Sequence, residues 1–147
     1  MAHIDEQPIK QSCLEVQTDL NALPQVWQWF EQFNLPQFPE NLWNECQVAL
    51  TEGFTNAVRH AHKGLPSTTL ISVEGRVFAD YVEIRIWDQG QPFNLEAKLQ
   101  SLLEEPPNPW KEDGRGLIFM KQLMDSLSYL RLSNQQNCLV MRKRVRG

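Results

Sequence analysis

Apolar residues recur at two different periods along the chain, and the switches between those periods divide it into elements. Within residues 11–18, Leu14 and Val16 alternate with polar neighbours, the pattern of a strand with one buried face. From Leu20 to Phe33 the positions Leu23, Val26, Trp27, Phe30 and Phe33 return at helical spacing, and Pro36 and Pro39 then stop regular structure. A long helix is predicted from Asn41 to about His62, with Glu40 and Asn41 as cap and first-turn residues and Gly64 and Pro66 as its end. Thr68–Phe78 and Tyr81–Trp87 alternate around a tight turn at Ala79–Asp80 and read as an antiparallel hairpin. The stretch Asp88–Arg115 contains Gly90, Pro92, Pro106, Pro107 and Pro109, with room for one short helix at Leu95–Leu103. An irregular stretch of that length inside a domain is a functional lid or is disordered. Gly116–Leu127 reads as an amphipathic helix, with Leu117, Met120, Leu123, Met124 and Leu127 on one side. Strand-like segments at 127–133 and 138–145, joined by the polar turn Ser133–Asn137, close the chain. Hairpins in place of βαβ units give an α+β class: a mostly antiparallel sheet with helices on one face.

Composition narrows the class. The chain has 147 residues, 41% of them hydrophobic and 22% charged, which suits one globular domain. Residues 1–147 are read as that domain, with about 1–10 flexible and the lid at about 89–115. A net charge of −4 argues against non-specific nucleic-acid binding, which needs a cationic surface. The one basic cluster, Arg142, Lys143, Arg144 and Arg146, reads as a solvated last strand and tail. Cys13, Cys46 and Cys138 are odd in number and widely spaced, so a disulfide framework is not expected and a reducing compartment is. The start MAHIDEQPIKQ has no apolar core of a signal peptide, and no apolar run approaches the roughly 20 residues that span a bilayer. A cytoplasmic protein without a membrane partner is expected. His60 and His62 point in different directions on a helix and make a poor metal pair, and no constellation supports a Cys enzyme or metal hydrolase. Trp27, Trp29 and Trp43 read as core more than as interface.

Three polar features need an explanation. On the long helix Trp43, Cys46, Leu50, Phe54, Ala57 and Ala61 form one stripe, and Glu45, Glu52, Asn56, Arg59 and Lys63 form a roughly opposite one. That polar stripe is either a solvated face with an Arg59–Glu52 pair or a metal-and-phosphate face. In the second case Asn56 offers a neutral oxygen to Mg²⁺ and Glu52, one turn away, a base. Asp88 continues the parity of Val82, Ile84 and Ile86 toward the core, where a carboxylate needs a donor. It either caps its own turn or takes the exocyclic amine of an amino-purine, and Gly90 permits close approach beside it. Gly114-Arg115-Gly116-Leu117 opens a helix, where free N–H groups attract phosphate, or is a simple loop and helix start.

Taken in order, these features resemble the N, G1 and G2 boxes of the GHKL (Bergerat-fold) ATP-binding proteins. The resemblance is nearest to the stand-alone anti-sigma-factor serine kinases of bacteria. Thr51–His60, TEGFTNAVRH, resembles their N box, and the DxGxPF form of Asp88–Phe93 their G1 box. The likeness runs from about residue 15 to residue 145 and implies a Bergerat two-layer α/β sandwich with an ATP lid. It implies ATP and Mg²⁺ as cofactors, with Asn56 on the metal, Glu52 as general base and Asp88 on the adenine amine. Gly90 would leave room beside the base, with Pro92 and Phe93 completing that box. Gly114, Arg115 and Gly116, followed by Leu117, would contact phosphates, and Arg59 and His60 would reach the phosphates or the lid.

The sequence departs from the family in three places. Asp113 stands where many relatives have glycine, Pro92 replaces the second glycine of DxGxG, and Asn137-Cys138 replaces a Gly-Thr or Gly-Ser pair that contacts nucleotide. The function implied is an ATP-dependent serine kinase of a partner-switching pathway. It would phosphorylate a STAS-type anti-anti-sigma protein, hold a sigma factor in its other state, and form a homodimer without touching nucleic acid. The alternative is a module of the same fold that binds ATP and sequesters a partner without transfer. A sensor histidine-kinase fragment is disfavoured, because His3 is the only histidine before the N box.

Overall fold

Alternation on each strand leaves one apolar face, and a layer of helices covers it. The computed structural model describes residues 7–105 and 115–145. Its strands are β1 (Lys10–Gln17), β2 (Leu70–Val77), β3 (Tyr81–Asp88), β4 (Ser126–Arg131) and β5 (Asn137–Arg144). They form one sheet in the order β1-β2-β3-β5-β4, each neighbouring pair antiparallel. The helices are α1 (Leu23–Phe30), α2 (Leu42–Asn56), α3 (Leu95–Glu104) and α4 (Arg115–Leu123). This is the α+β sandwich that the pattern predicts, with α3 inside the expected lid. No helix among the described residues is long and apolar enough to cross a membrane.

Register puts the core on the helix side. Val73 lies opposite Ile86, Val77 opposite Val82, Ile84 opposite Met141 and Ile86 opposite Leu139, all buried. Gly75 is the gap in that face: a Cβ there would stand 2.5 Å from Phe33 Cζ, so its missing side chain seats the ring. Phe33 meets Trp29 edge-on at 5.3 Å, and Phe30 stacks on Trp43 at 5.9 Å. Trp29 and Trp43 therefore rim the core as expected, whereas Trp27 is 37% exposed and donates from Nε1 to Thr51 Oγ1 at 2.9 Å.

Several boundaries differ from the sequence pattern, each for a local reason. The helix expected at Leu20–Phe33 is α1 flanked by 3-10 turns at Leu20–Ala22 and Glu31–Phe33. Pro24 falls in its first turn, where the missing N–H has no partner to lose. Asn41 precedes α2 without a side-chain cap bond, while Asn94 caps α3 by accepting from Ala97 N at 3.0 Å. The long helix does not stay α-helical to His62: after Asn56 it widens into a π turn at Ala57–Ala61, with His62 N donating to Ala57 O at 2.9 Å. The helix expected to reach Leu127 stops at Leu123 because the sheet captures the chain. Asp125 N donates to Arg142 O at 2.8 Å, and Leu127 pairs with Met141. Strand pairing begins within the stretch expected to be flexible, since Ile9 N donates to Val77 O at 2.7 Å.

The basic cluster is solvated only in part, because two of its members are also paired. Glu83, 1% exposed, sits in a cross-strand row between Arg76 and Arg142 on the face away from the helices. It takes Arg85 Nε and Arg142 Nε at 2.7 Å each, with Arg76 Nη1 at 3.6 Å. Lys143 Nζ reaches Glu45 Oε2 at 2.6 Å and ties β5 to the first turn of α2. Arg142 and Lys143 are thus paired, although Arg142 stays exposed, as Arg144 does, and Arg146 lies outside the described residues. The three thiols are free, as expected. Burial pushes Cys46 up to about 12 and Cys13 and Cys138 up to about 11, which keeps them protonated and unreactive at neutral pH.

Candidate active site

A glycine lets α2 settle on the sheet just before its functional residues. A Cβ at Gly53 would stand 2.6 Å from Ile86 Cδ1 and 3.2 Å from Leu139 Cδ2, so glycine allows this approach of helix to β3 and β5 without pushing those side-chain ends aside. The close seat brings Asn56 to the wall of a cavity of about 480 Å³. Ile86, Leu117, Met120 and Leu139 give the cavity apolar surface, and Asn56, His60, Asp88, Gln91, Lys98 and Tyr129 supply polar groups. Pro92 and Phe93 also line it, and the Phe93 ring lies 4.6 Å from the Tyr129 ring.

Glu52, one turn before Asn56, is half-buried and lies outside the cavity lining. The start of α4 packs on it: a Cβ at Gly116 would be 2.6 Å from Glu52 Oε2 and 3.5 Å from both Asn56 side-chain polar atoms. Gly116 therefore makes room for the α2 side chains themselves. The fold brings Glu52, Asn56 and Gly116 together, with Leu117 buried in the cavity wall beside them. Arg59 is exposed and outside the lining, although its neighbour His60 is part of it. Arg115 is the exposed first residue of α4. Gly114 and Asp113 lie outside the described residues.

Asp88 is 4% exposed and does not lack donors within the protein. Its Oδ1 accepts from Gly90 N at 2.9 Å and Asn137 Nδ2 at 2.8 Å, and its Oδ2 accepts from the Tyr129 hydroxyl at 2.9 Å. The turn-capping bond to Gly90 is real, and side chains from the neighbouring β5 and from β4, one strand further out, join it. Register explains the set: Asp88 pairs with Asn137, and Asn137 with Arg131, in one row on the helix side of the sheet. Burial first and the adjacent Asp88 carboxylate second push the Tyr129 phenol well above its usual range, so it stays a donor.

Two expectations change here. Gly90 was read as leaving space beside a base, but a Cβ there would stand 2.0 Å from the Ala61 carbonyl oxygen; the π turn occupies that side. Asn137, read as putting a nucleotide contact in doubt, is fully buried and holds Asp88. The π turn also carries His62 inward, 2% exposed. Its Nε2 accepts from Gln89 N at 2.8 Å, so Nδ1 bears the proton and donates to Thr18 Oγ1 at 2.7 Å. That hydroxyl passes on to Thr69 O at 2.6 Å. Burial lowers the His62 pKa, and the nearby Asp88 opposes that shift. Tyr129, Arg131, His62 and Lys98 were missed as site residues; only strand register and the widened turn reveal the first three.

A metal must find oxygen here. No cluster of three His, Cys, Asp or Glu exists among the described residues. The Asn56 amide oxygen fits Mg²⁺, which takes one or two protein oxygens and fills its shell with phosphate and water. It is a poor match for zinc, whose protein sites are built mainly on His and Cys.

Residues 16–143 match the family described as Histidine kinase-like ATPase domain. The serine-protein kinase RsbW of Oceanobacillus iheyensis is 34% identical over 101 residues, covering 66% of this chain and 61% of that protein. RsbW of Bacillus licheniformis is 37% identical over 87 residues, covering 56% of this chain and 54% of that protein. The chain thus spans between half and two thirds of the length of these curated relatives. The structure of the RsbU and RsbW domains of Rv1364c from Mycobacterium tuberculosis superposes with a TM-score of 0.64 at 15% identity, over 95% of this chain and 34% of that one. The SiaB-SiaC complex from Pseudomonas aeruginosa gives 0.61 at 13% identity, over 91% of this chain and 89% of that one. At those identities the two structures speak for the fold alone. The family match runs from β1 into β5 and takes in α2, the cavity and the Asp88–Asn137 row: the chain belongs to the histidine kinase-like ATPase domain family.

Proposed function

We propose that this chain is an ATP-dependent protein serine kinase of a partner-switching pathway. It transfers the γ-phosphoryl group of ATP to a serine of a STAS-type anti-anti-sigma protein and holds a sigma factor in its other state. The observation that carries this reading is the convergence of Glu52 and Asn56 on one turn of α2 with Gly116, beside the cavity that Asp88 lines. A 480 Å³ cavity with apolar surface and a few convergent polar groups suits a nucleotide. The resemblance to RsbW serine-protein kinases supports the same reaction. A protein partner is in keeping with a neighbour that was solved as the SiaB-SiaC complex.

ATP brings the transferable phosphoryl group, and Mg²⁺ would neutralise charge on it. The protein's share is positioning and proton handling. Asp88 accepts the base amine on Oδ2, and Ile86, Leu117, Met120 and Leu139 give the base an apolar bed. Asn56 offers its amide oxygen to the metal. Glu52 takes the proton of the serine hydroxyl as that oxygen bonds to the γ-phosphorus and the bond to the β-phosphate oxygen breaks. Ile86 and Leu139 beneath the site keep water from that side.

The second reading, a module that binds ATP without transfer, draws on two observations. Asp88 already has three internal donors, and the start of α4 lies against the carboxylate that would act as base. Calorimetric titration of ATP with and without Mg²⁺, followed by transfer of labelled phosphate to a STAS protein, separates the readings. The kinase reading expects Asn56→Ala to lose Mg²⁺-dependent binding. It expects Glu52→Gln to keep binding and lose transfer by about a hundredfold or more, the scale of a general base. Transfer by Glu52→Gln at the wild-type rate would remove Glu52 as base, and binding without any transfer by the wild type would leave the module. Sedimentation of the free protein decides whether it is a homodimer.

A further inference from the structure

The Asp88 carboxylate has about four acceptor positions, and the protein fills three of them. The distribution is unequal. Oδ1 receives two donors, Gly90 N and Asn137 Nδ2, while Oδ2 receives only the Tyr129 hydroxyl. The Asn137 amide cannot flip to release Oδ1. Its Nδ2 spends both hydrogens, on Asp88 Oδ1 at 2.8 Å and on Gly90 O at 2.9 Å, and its Oδ1 accepts from Arg131 Nη1 at 3.2 Å. A flipped amide would set its oxygen against two acceptors and its NH₂ against a cation. Arg131 Nη1 also donates to Gly90 O at 3.2 Å, which holds the loop in place. The whole set is buried at Asp88 and Asn137, so neither group exchanges its partner for water.

From this we infer that Asn137 is a specificity-determining residue of the nucleotide site: by filling Oδ1 it leaves Asp88 one acceptor, which suits a 6-aminopurine and rejects guanine. The inference rests on the nucleotide-binding reading above. A 6-aminopurine presents one donor, the exocyclic amine, next to the acceptor N1, and one oxygen satisfies it. Guanine offers two adjacent donors, N1–H and the 2-amine, which a carboxylate takes with both oxygens at once. With Oδ1 occupied, the second donor is left unpaired in a buried site, and a site with an unmatched polar group discriminates strongly. Asn137 acts on the base through Asp88 and is a positioning residue. Its place on β5 opposite Asp88 makes this arrangement a property of strand register.

The test is calorimetric titration of ATP, ITP and GTP, each with Mg²⁺, into the wild type and Asn137→Ala, with thermal melts to establish folding. ITP is guanine's 6-oxo, N1–H edge without the 2-amine. In the wild type ATP should bind tightest and GTP no better than ITP, because the 2-amine finds no free acceptor. In Asn137→Ala the 2-amine gains Oδ1, so GTP should improve over ITP by about tenfold, the worth of one hydrogen bond to a charged acceptor. A purely structural Asn137 would lower all three affinities and leave the GTP-to-ITP ratio unchanged, which overturns the inference. Tenfold tighter GTP than ITP in the wild type overturns it too, and that comparison needs no variant to fold. Binding of none of the three by the wild type overturns the nucleotide reading and the inference with it, whereas ATP binding with the wrong ratios overturns the inference alone.

Discussion

Gly90→Ala puts a methyl group into a space that the backbone of the π turn already fills. The new Cβ would lie 2.0 Å from the Ala61 carbonyl oxygen, 2.7 Å from its carbon and 3.0 Å from its Cα. Ordinary contact begins near 3.4 Å, so loop and turn must part by more than an ångström, and no flexible side chain is there to yield. The cost has two parts. Overpacking against rigid backbone costs about 1–3 kcal/mol. Parting the segments also strains the bonds that pin the loop: Gly90 N to Asp88, Asn137 Nδ2 to Gly90 O, and Gln89 N to His62. Losing one bond to the carboxylate adds about 1.5–3 kcal/mol. Together these give about 3–5 kcal/mol, or roughly 10 °C in Tm for a domain of this size. Urea denaturation with a thermal melt reads the change, and ATP titration should show the cavity's binding lost in step. Gly64→Ala is the control. Gly64 has φ +85 and no atom within 4 Å of a new Cβ, so that variant pays only backbone strain of about 1–2 kcal/mol. A Gly90→Ala protein within 0.5 kcal/mol of wild type, roughly the scatter of neutral surface changes, would refute the close approach.

Two further outcomes follow from buried charge. His62 is held neutral, its pKa lowered chiefly by burial, so the unfolded chain binds its proton more readily. Stability from this group is complete above pH 6.5, the unfolded value, and falls as pH drops below it; urea midpoints at pH 7.5 and pH 5 should diverge more in the wild type than in His62→Gln. Glu83→Ala leaves the guanidinium groups of Arg76, Arg85 and Arg142 facing one another, and should cost about 2–3 kcal/mol, less than for a fully buried pair because these arginines keep partial solvent contact. An unchanged denaturation midpoint in that variant would mean that the cluster contributes only repulsion already relieved by water.

Much of the architecture is legible in the sequence because side-chain parity and helical period are local properties. The parity of Val82, Ile84 and Ile86 placed Asp88 on the core side, and the structure buries it there. The four-residue spacing of Glu52 and Asn56 stacked them on one face of α2, and Gly116 meets both. A short helix at Leu95–Leu103 was expected inside the lid, and in the structure Leu95, Leu99 and Leu102 are its buried positions. Where α4 ends was not legible, because Leu127 satisfies a helical stripe and a strand pairing equally well, and the backbone bond of Asp125 to Arg142 decides between them.

By itself, then, the sequence determined the elements and the face each presents, and it nominated the residues proposed to hold a nucleotide and a metal. Only the tertiary structure decided what surrounds them. Asp88 and Asn137 are far apart in the chain and become partners solely through the register of β3 on β5. The one-residue widening after Asn56 has no mark in the local pattern, yet it sets Ala61 against Gly90 and turns His62 inward. The physical reason is range: periodicity records how each residue meets the core, whereas hydrogen-bond partners across strands depend on which segments the closed core brings into contact.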